Sequence, residues 1–357
     1  MNYLWYKTVR FYVKISLRSY FKKTKVYGVE NIPKNQAVLF VGNHRNGLID
    51  PIMIATTSAK VHLFLTRASA FKNPIANVLL RSINMIPIYR IRDGKDSLKK
   101  NQEIFEACFK EFEKKGSVLM FPEGNHGLLR RLRPLSKGFT RIAFGYLDKY
   151  PKKDLFIVPV GLNYSNMQEK AGSVSVYYGK AILVNNFYNP TDEKKAIDLL
   201  KEKASNSLKE LSTDIDDVEN HAKIERVLIY KGIDFLDPFK ANKLIATTSD
   251  WNIPTPLPKH KKSLSEIVIQ SLFTINTLIP MLIWRYLKDK PKDIVLIPTF
   301  RLGLSAVLIP LFYLLQSWIV CSLSNPYWGF IYLISSILLL VIYKNSIHTD
   351  SFTTNPS

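Results

Sequence analysis

Apolar and basic residues near the start of the chain recur at helical spacing. Trp5, Val9, Val13, Leu17 and Phe21 follow one another at steps of four, and Lys7, Arg10, Lys14, Arg18 and Lys22 at steps of three or four. This predicts a helix over residues 3–23 with one apolar and one basic stripe. Trp5, Tyr6, Tyr12 and Tyr20 add rings suited to a headgroup layer, so residues 1–25 are expected to lie in the plane of a membrane. A surface helix with its apolar face in the core is the plainer alternative. From Val26 to about Pro190 short apolar runs alternate with helical patterns, the signature of an α/β fold in which a mixed sheet is layered with helices. Ala37–Val41, Ser117–Phe121, Phe156–Val160 and Ser173–Tyr178 read as strands, and Ser97–Lys114 as a polar helix. Asp50-Pro51 reads as an N-cap and first position of a helix over Ile52–Ala59. Residues 191–265 turn polar and helical, most clearly over Lys194–Leu211.

The pattern changes again in the last third. Leu302–Leu323 is uncharged for 22 residues, enough to cross a bilayer core of about 30 Å at ~1.5 Å per residue. Pro326–Tyr343 supplies a second crossing, its spanning part at 327–343, and Ser324-Asn325-Pro326 joins the two into a transmembrane hairpin. Ile267–Trp284 is interrupted by Gln270, Asn276 and Pro280 and is flanked at both ends by cations, Lys259–Lys262 before and Arg285–Lys292 with Arg301 after. The bias of Lys and Arg toward the cytoplasm puts both flanks on one side. A re-entrant or interfacial segment over 267–284 is therefore expected inside a membrane region of 266–344, with 345–357 as a tail.

The 357 residues allow one large domain or two ordinary ones. Fifty Lys and Arg against 29 Asp and Glu give a formal charge of +21, which favours a polyanionic partner without choosing between bilayer, nucleic acid and phosphorylated substrate. Recognised nucleic-acid modules are absent from the sequence, which argues against the second. Cys108 and Cys321 stand far apart, indicating neither disulfides nor a zinc site, and no metal-type His or Asp spacing is present. The amino-terminal run is broken by Lys7, Arg10 and Lys14, so a cleaved export signal is not expected.

The candidate chemistry lies at strand ends. In Gly42-Asn43-His44-Arg45-Asn46-Gly47-Leu48-Ile49-Asp50-Pro51, a tight loop can bring His44 to Asp50. An imidazole held in one tautomer by a carboxylate is suited to taking a proton from an attacking alcohol. Asp50 as a mere N-cap and His44 as a loop residue remain the alternative. Phe121-Pro122-Glu123-Gly124 ends a second strand and should share the same sheet edge, where ligands of open α/β sheets gather. Glu123 can fix a substrate or brace the loop, and backbone amides around Gly124 can face a developing oxyanion. Arg90 closes Asn84–Arg90, and Arg130, Arg131, Arg133 and Lys137 form a second cationic cluster, suited to a phosphate or equally to a solvated face.

These segments together resemble the glycerolipid acyltransferases, which include 1-acylglycerol-3-phosphate and glycerol-3-phosphate acyltransferases. Asn43-His44 through Asp50 is similar to the family's His-Asp block, Ile86–Arg90 to its second block, Phe121–Gly124 to its third and Ile157–Val160 to its fourth. The resemblance covers about residues 26–180. It implies His44 as general base and Asp50 as its orienting partner. It implies an acyl or acceptor site that includes Asn43, Arg90, Glu123, Gly124, Asn125, His126, Arg130, Arg131 and Pro159. The implied donor is acyl-CoA or acyl-carrier protein, with no cofactor, and the implied acceptor is glycerol-3-phosphate or a lysophospholipid, in phospholipid synthesis on the cytoplasmic face of the inner or plasma membrane. Two departures stand out. Five residues separate His44 from Asp50 where the usual block has four, and Asn125-His126-Gly127 replaces the usual Thr-Arg-Ser. The second admits a non-phosphate acceptor such as an amino-acid lipid, and a non-catalytic lipid-binding adaptor is the remaining competitor.

Overall fold

The computed structural model describes residues 3–89, 100–167, 172–252, 262–291 and 293–347. Helix α1 (Tyr3–Tyr20) and strand β1 (Thr24–Tyr27) come first. Strands and helices then alternate as β2 (Ala37–Gly42), α2 (Ile49–Thr57), β3 (His62–Arg67), α3 (Pro74–Ser82), β4 (Met85–Ile88), α4 (Asn101–Glu113), β5 (Ser117–Met120), α5 (Gly138–Lys149) and β6 (Leu155–Tyr164). Strand β7 (Val174–Tyr178) and the short β8 (Ile182–Leu183) complete the sheet. Helices α6 (Glu193–Leu211), α7 (His221–Tyr230) and α8 (Pro238–Thr247) follow. The apolar third contains α9 (Leu264–Asn276), α10 (Leu278–Leu287), α11 (Ile297–Leu323) and α12 (Pro326–Ser346).

The sheet runs β1-β7-β6-β2-β5-β3-β4, with β8 pairing β6. It is mixed, because β7 and β8 lie antiparallel to β6 while the other pairs are parallel. Successive strand residues point to opposite faces. Leu39, Val41, Val118 and Ile157 therefore pack with Phe109, Phe139 and Leu200 on one side, and Val38, Phe40, Leu119 and Val158 with Met53, Ile54 and Leu17 on the other. A sheet covered on both faces demands continuous apolar runs, which is why β2, β5 and β6 are legible as such.

A buried histidine ties the first layer together. The His62 ring sits between Ser58 Oγ, 2.5 Å from Nε2, and Ser117 Oγ, 2.9 Å from Nδ1. Burial, reinforced by Arg10 and Lys60, pushes its pKa down to about 3. The unfolded chain binds this proton below about pH 6.5 and the folded chain does not, so stability is present at neutral pH and is lost as pH falls. Between pH 7 and 5 the loss from this one group is expected to be about 2 kcal/mol. Thermal melts of wild type and His62→Gln across that range check it. The variant should be flatter with pH.

Helix α1 packs against the domain through Tyr6, Leu17 and Phe21, and Arg10 donates to the Ser58 carbonyl. The buried face is thus only partly the predicted Trp5-Val9-Val13-Leu17-Phe21 stripe, since Trp5 stays exposed. Helices α11 and α12 are long and apolar enough to cross a membrane. Ser317 Oγ donates to the Gly329 carbonyl at 2.8 Å, and a Cβ at Gly329 would meet Cys321 Cβ at 2.9 Å, so glycine lets the pair close. Helices α9 and α10 form a pair bent by 85°. Both ends of the α11–α12 hairpin lie against the rest of the molecule. Lys344 Nζ donates to the Arg18 carbonyl at 2.7 Å, and the Leu48 amide donates to Thr299 Oγ1 at 3.1 Å.

Candidate active site

Neighbouring parallel strands β2 and β5 end side by side, with Val41 opposite Met120, so the loops after them share one edge of the sheet. A Cβ at Gly42 would come within 2.8 Å of the Phe121 ring, so glycine is needed where the loops pass. The His44 ring lies flat on Phe121, centroids 4.4 Å apart. His44 Nδ1 is 2.8 Å from Asp50 Oδ2. That same oxygen accepts the backbone N–H groups of Arg45 and Asn46, each at 2.7 Å, and Oδ1 accepts the Tyr164 hydroxyl at 2.5 Å. Because the carboxylate only accepts, Nδ1 carries the proton and the Nε2 lone pair is left for the cavity.

Asp50 is therefore not the N-cap predicted from Asp50-Pro51. Helix α2 starts at Ile49, after Leu48, and its first turn carries Asp50. The carboxylate turns back to order the preceding loop instead, because four donors converge there with no solvent. Asp50 is fully buried. Replacing Tyr164 by Phe removes one hydrogen bond and about 1–2 kcal/mol of restraint, expected to lower turnover roughly tenfold with little loss of stability. Steady-state kinetics beside a melt would separate the two effects.

Glu123 braces rather than reaches out. Its Oε1 accepts the His44 backbone N–H at 2.7 Å, and its Oε2 accepts Arg133 Nε at 2.8 Å. Arg133 also donates to the carbonyls of Asn125 and His126, so one guanidinium shapes the whole loop after Glu123. The Gly124 amide is committed to the Phe121 carbonyl at 3.2 Å, so it is not a ready oxyanion donor; with φ at +69°, the position suits glycine. His126 packs edge-on against His44, centroids 5.5 Å apart, and its Nε2 lies 3.6 Å from Asp293 Oδ2 just before α11. Burial, with His44 nearby, lowers the His126 pKa, so it faces the cavity as a neutral ring.

Several residues predicted to bind substrate are placed elsewhere. Asn43 is buried, its side-chain Nδ2 donating to the Leu162 carbonyl and its Oδ1 accepting the Leu162 N–H, which extends the β2–β6 ladder by one side chain. Arg130 lies inside, bonded to Glu225 and to the carbonyls of Tyr164 and Ser165, with Phe235 under its guanidinium. This pairing explains why a buried cation is tolerated. Arg131 lies 4.0 Å from Asp216 on the same side. Pro159 sits within β6, its carbonyl accepting the Gly179 amide. Arg90 lies outside the described residues. Arg45 is buried as well, and donates to the carbonyls of Leu129 and Arg131. Desolvation lowers its pKa to about 10, which leaves it charged at neutral pH.

A cavity of about 910 Å³ opens at His44. Glu123, Gly124, Asn125 and His126 line it near the imidazole. Deeper walls are apolar, from Phe64, Leu65, Ile88, Phe105, Leu119 and Met120. Three cations, Arg67, Lys137 and Arg141, also line it. Of these, Arg67 and Arg141 escaped the sequence reading. Arg67 is the last residue of β3, whose apolar run Leu63-Phe64-Leu65 was the available signal.

Residues 23–163 match the family model described as Acyltransferase. This segment is an acyltransferase-family domain. Among curated proteins, glycerol-3-phosphate O-acyltransferase 1 of Saccharomyces cerevisiae is 26% identical to this chain over 129 residues, 35% of this chain and 17% of the yeast protein. A chloroplastic 1-acyl-sn-glycerol-3-phosphate acyltransferase of Brassica napus is 27% identical over 194 residues, 53% of this chain and 51% of that one. The 1-acyl-sn-glycerol-3-phosphate acyltransferase of Borreliella burgdorferi is 29% identical over 154 residues, covering 43% and 56%. The chain thus spans between about a sixth and just over half of the length of these curated relatives. Among solved structures, the crystal structure of the 1-acyl-sn-glycerophosphate acyltransferase PlsC from Thermotoga maritima aligns with a TM-score of 0.42 at 19% identity, over 56% of this chain and 78% of that one.

Proposed function

We propose that this chain is a membrane-bound O-acyltransferase that moves an acyl group from a thioester, acyl-CoA or acyl-carrier protein, to a hydroxyl of glycerol-3-phosphate or lysophosphatidic acid. The observation that carries it is the fully buried Asp50 carboxylate holding His44 Nδ1, which presents Nε2 to a cavity. In this reaction Nε2 takes the acceptor's hydroxyl proton as its oxygen attacks the thioester carbonyl carbon. Asp50 stabilises the imidazolium. The tetrahedral intermediate then collapses, the carbon–sulfur bond breaks, and His44 returns the proton to the departing thiolate. A thioester is already activated, so an acyl-enzyme is unnecessary, and Cys108 is buried in the core with its pKa raised to about 12.

The phosphate of the acceptor falls to Arg67, Lys137 and Arg141, and the apolar walls take the acyl chain. Both ends of the α11–α12 hairpin reach the domain, which supports a site facing one surface of the bilayer, and the cation-rich flanks of α9–α10 favour the cytoplasmic one. The 85° bend between α9 and α10 suits a re-entrant segment. A panel of acceptors, assayed with purified protein and acyl thioester, tests the reading. Glycerol-3-phosphate or lysophosphatidic acid should be acylated, and Arg67→Gln should raise the phosphorylated acceptor's KM by about 10- to 100-fold, the worth of one charge-assisted hydrogen bond. Acylation of a lipid alcohol without phosphate, with the phosphorylated acceptors inert, would overturn the acceptor assignment.

A further inference from the structure

Helix α3 has an apolar face on each side. Leu80 lines the catalytic cavity, and Leu80 and Ile83 pack against the core. On the opposite side Ile75, Val78 and Leu79 are 80%, 71% and 55% exposed. Val78 and Leu79 stand three and four positions after Ile75, which puts all three on one helix face. Nothing in the fold requires this. The helix is already started by Asn73, whose Oδ1 accepts the amides of Ile75 and Ala76, and by Pro74 at its first position. Lys72 and Arg81 flank the face, Arg81 held by Asn77 Oδ1 at 2.8 Å and set over the Phe71 ring.

The surroundings of this face indicate what covers it. Trp5 Nε1 of α1 donates to Ser82 Oγ at the end of α3, at 3.2 Å. Helix α1 itself exposes Tyr3, Phe11 and Ile15, carries Lys7 over Tyr3, and packs on α11 and α12. The α3 face is thus continuous, through α1, with the two helices suited to cross a bilayer, and cations rim it. Three apolar side chains fall well short of the ~800 Å² per partner of a stable protein interface, whereas shallow burial in a lipid surface needs only such a patch with basic flanks.

We propose that α3 is a bilayer-inserted portal helix: Ile75, Val78 and Leu79 sit among lipid chains while Leu80 walls the cavity, and acyl chains pass along α3 between membrane and site. The insertion stands on geometry alone; the passage rests on the acyl-transfer reading above. The test uses the full chain in nanodiscs containing anionic phospholipid. An environment-sensitive fluorophore is attached through Val78→Cys, in a Cys321→Ser background in which Cys108 is buried, with Lys110→Cys on the exposed side of α4 as the control. The probe at position 78 is expected to shift to the blue and be quenched by lipids spin-labelled near the headgroup, and the probe at position 110 to stay water-like. A water-like, unquenched probe at position 78, or crosslinking there to a second copy instead of quenching, overturns the insertion even if acyl transfer is normal. The Ile75→Ser, Val78→Ser, Leu79→Ser combination is then assayed with long-chain membrane-resident and short-chain soluble substrates. A fall of about tenfold or more in kcat/KM for the long chains alone supports the portal. Equal loss for both, or none, overturns it. A quenched probe in a wild-type protein that transfers nothing to any acceptor overturns the reaction, and with it the passage, but not the insertion.

Discussion

Asp50→Asn is expected to preserve the fold and to slow acyl transfer by about 10³–10⁴-fold, the scale on which an orienting carboxylate acts on a catalytic imidazole. The amide can keep its oxygen toward the Arg45 and Asn46 N–H groups and His44, and turn its nitrogen toward the Tyr164 hydroxyl, which can accept. Hydrogen-bond geometry is therefore largely retained while the negative charge that stabilises the imidazolium is lost. The loss should fall on kcat far more than on either KM, because the interaction matters only once the proton has moved. Asp50→Ala differs in kind. It strands two amides and a tyrosine hydroxyl in the interior, at about 1–3 kcal/mol for each group left unsatisfied, and its inactivity should come with a lower melting temperature. Finding the Asn variant as active as wild type would remove Asp50 from the reaction.

Glu123→Gln carries the next largest effect. Its carboxylate, with no side-chain exposure, joins the His44 backbone on one side to Arg133 on the other. The neutral amide cannot answer the Arg133 guanidinium, and breaking a buried pair by removing one charge costs on the order of 3–5 kcal/mol, less the fraction screened at the partly exposed Arg133. The single oxygen of the amide can serve the His44 main chain or Arg133 but not both, so either the His44 N–H loses its acceptor or the loop of residues 124–127 loses its anchor through Arg133. Turnover should drop by about a hundredfold or more, and the melting temperature should fall with it. A double variant with Arg133→Met, which removes the stranded cation, should recover stability without recovering rate. If rate returned with stability, Glu123 would be a purely structural residue. Kinetics and calorimetry on the three proteins decide this.

How much of this was readable beforehand follows from burial. Strands β2, β5 and β6 sit in the middle of the sheet with both faces covered, so their sequences are unbroken apolar runs. Edge strands are different. Strand β1 has only four residues, mostly exposed, and β4 carries Pro87, which a sheet edge tolerates because a ladder bond is not required there. Strand β3 opens on a buried histidine whose two serine partners come from other elements, so composition alone argues against a strand. Missing β3 hid Arg67, which sits at its end.

At the site, His44, Asp50 and Glu123 were legible because loops after adjacent parallel strands must meet. Tyr164 was not, because it lies at the far end of β6, 114 positions from Asp50. Arg130 and Arg131 read as surface cations, since a sequence shows the positive charge and not the distant Glu225 or Asp216 that answers it. The contact of the His44–Asp50 loop with the residues leading into the apolar hairpin was equally hidden. A Cβ at Gly47 would meet Leu296 at 2.8 Å, and Leu48 and His126 face Thr299 and Asp293. The residues leading into α11 therefore pack against the loops that carry His44 and His126, and the long apolar hairpin is part of the geometry around that cavity.

The most direct test is mass-spectrometric identification of the lipid formed when purified protein is given an acyl thioester with glycerol-3-phosphate or lysophosphatidic acid, for wild type and for His44→Ala. The wild type is predicted to produce the corresponding acylated glycerophosphate, and the folded His44→Ala protein to produce none above background. Equal product from both proteins, or no acylated product from the wild type with any acceptor, would contradict the account.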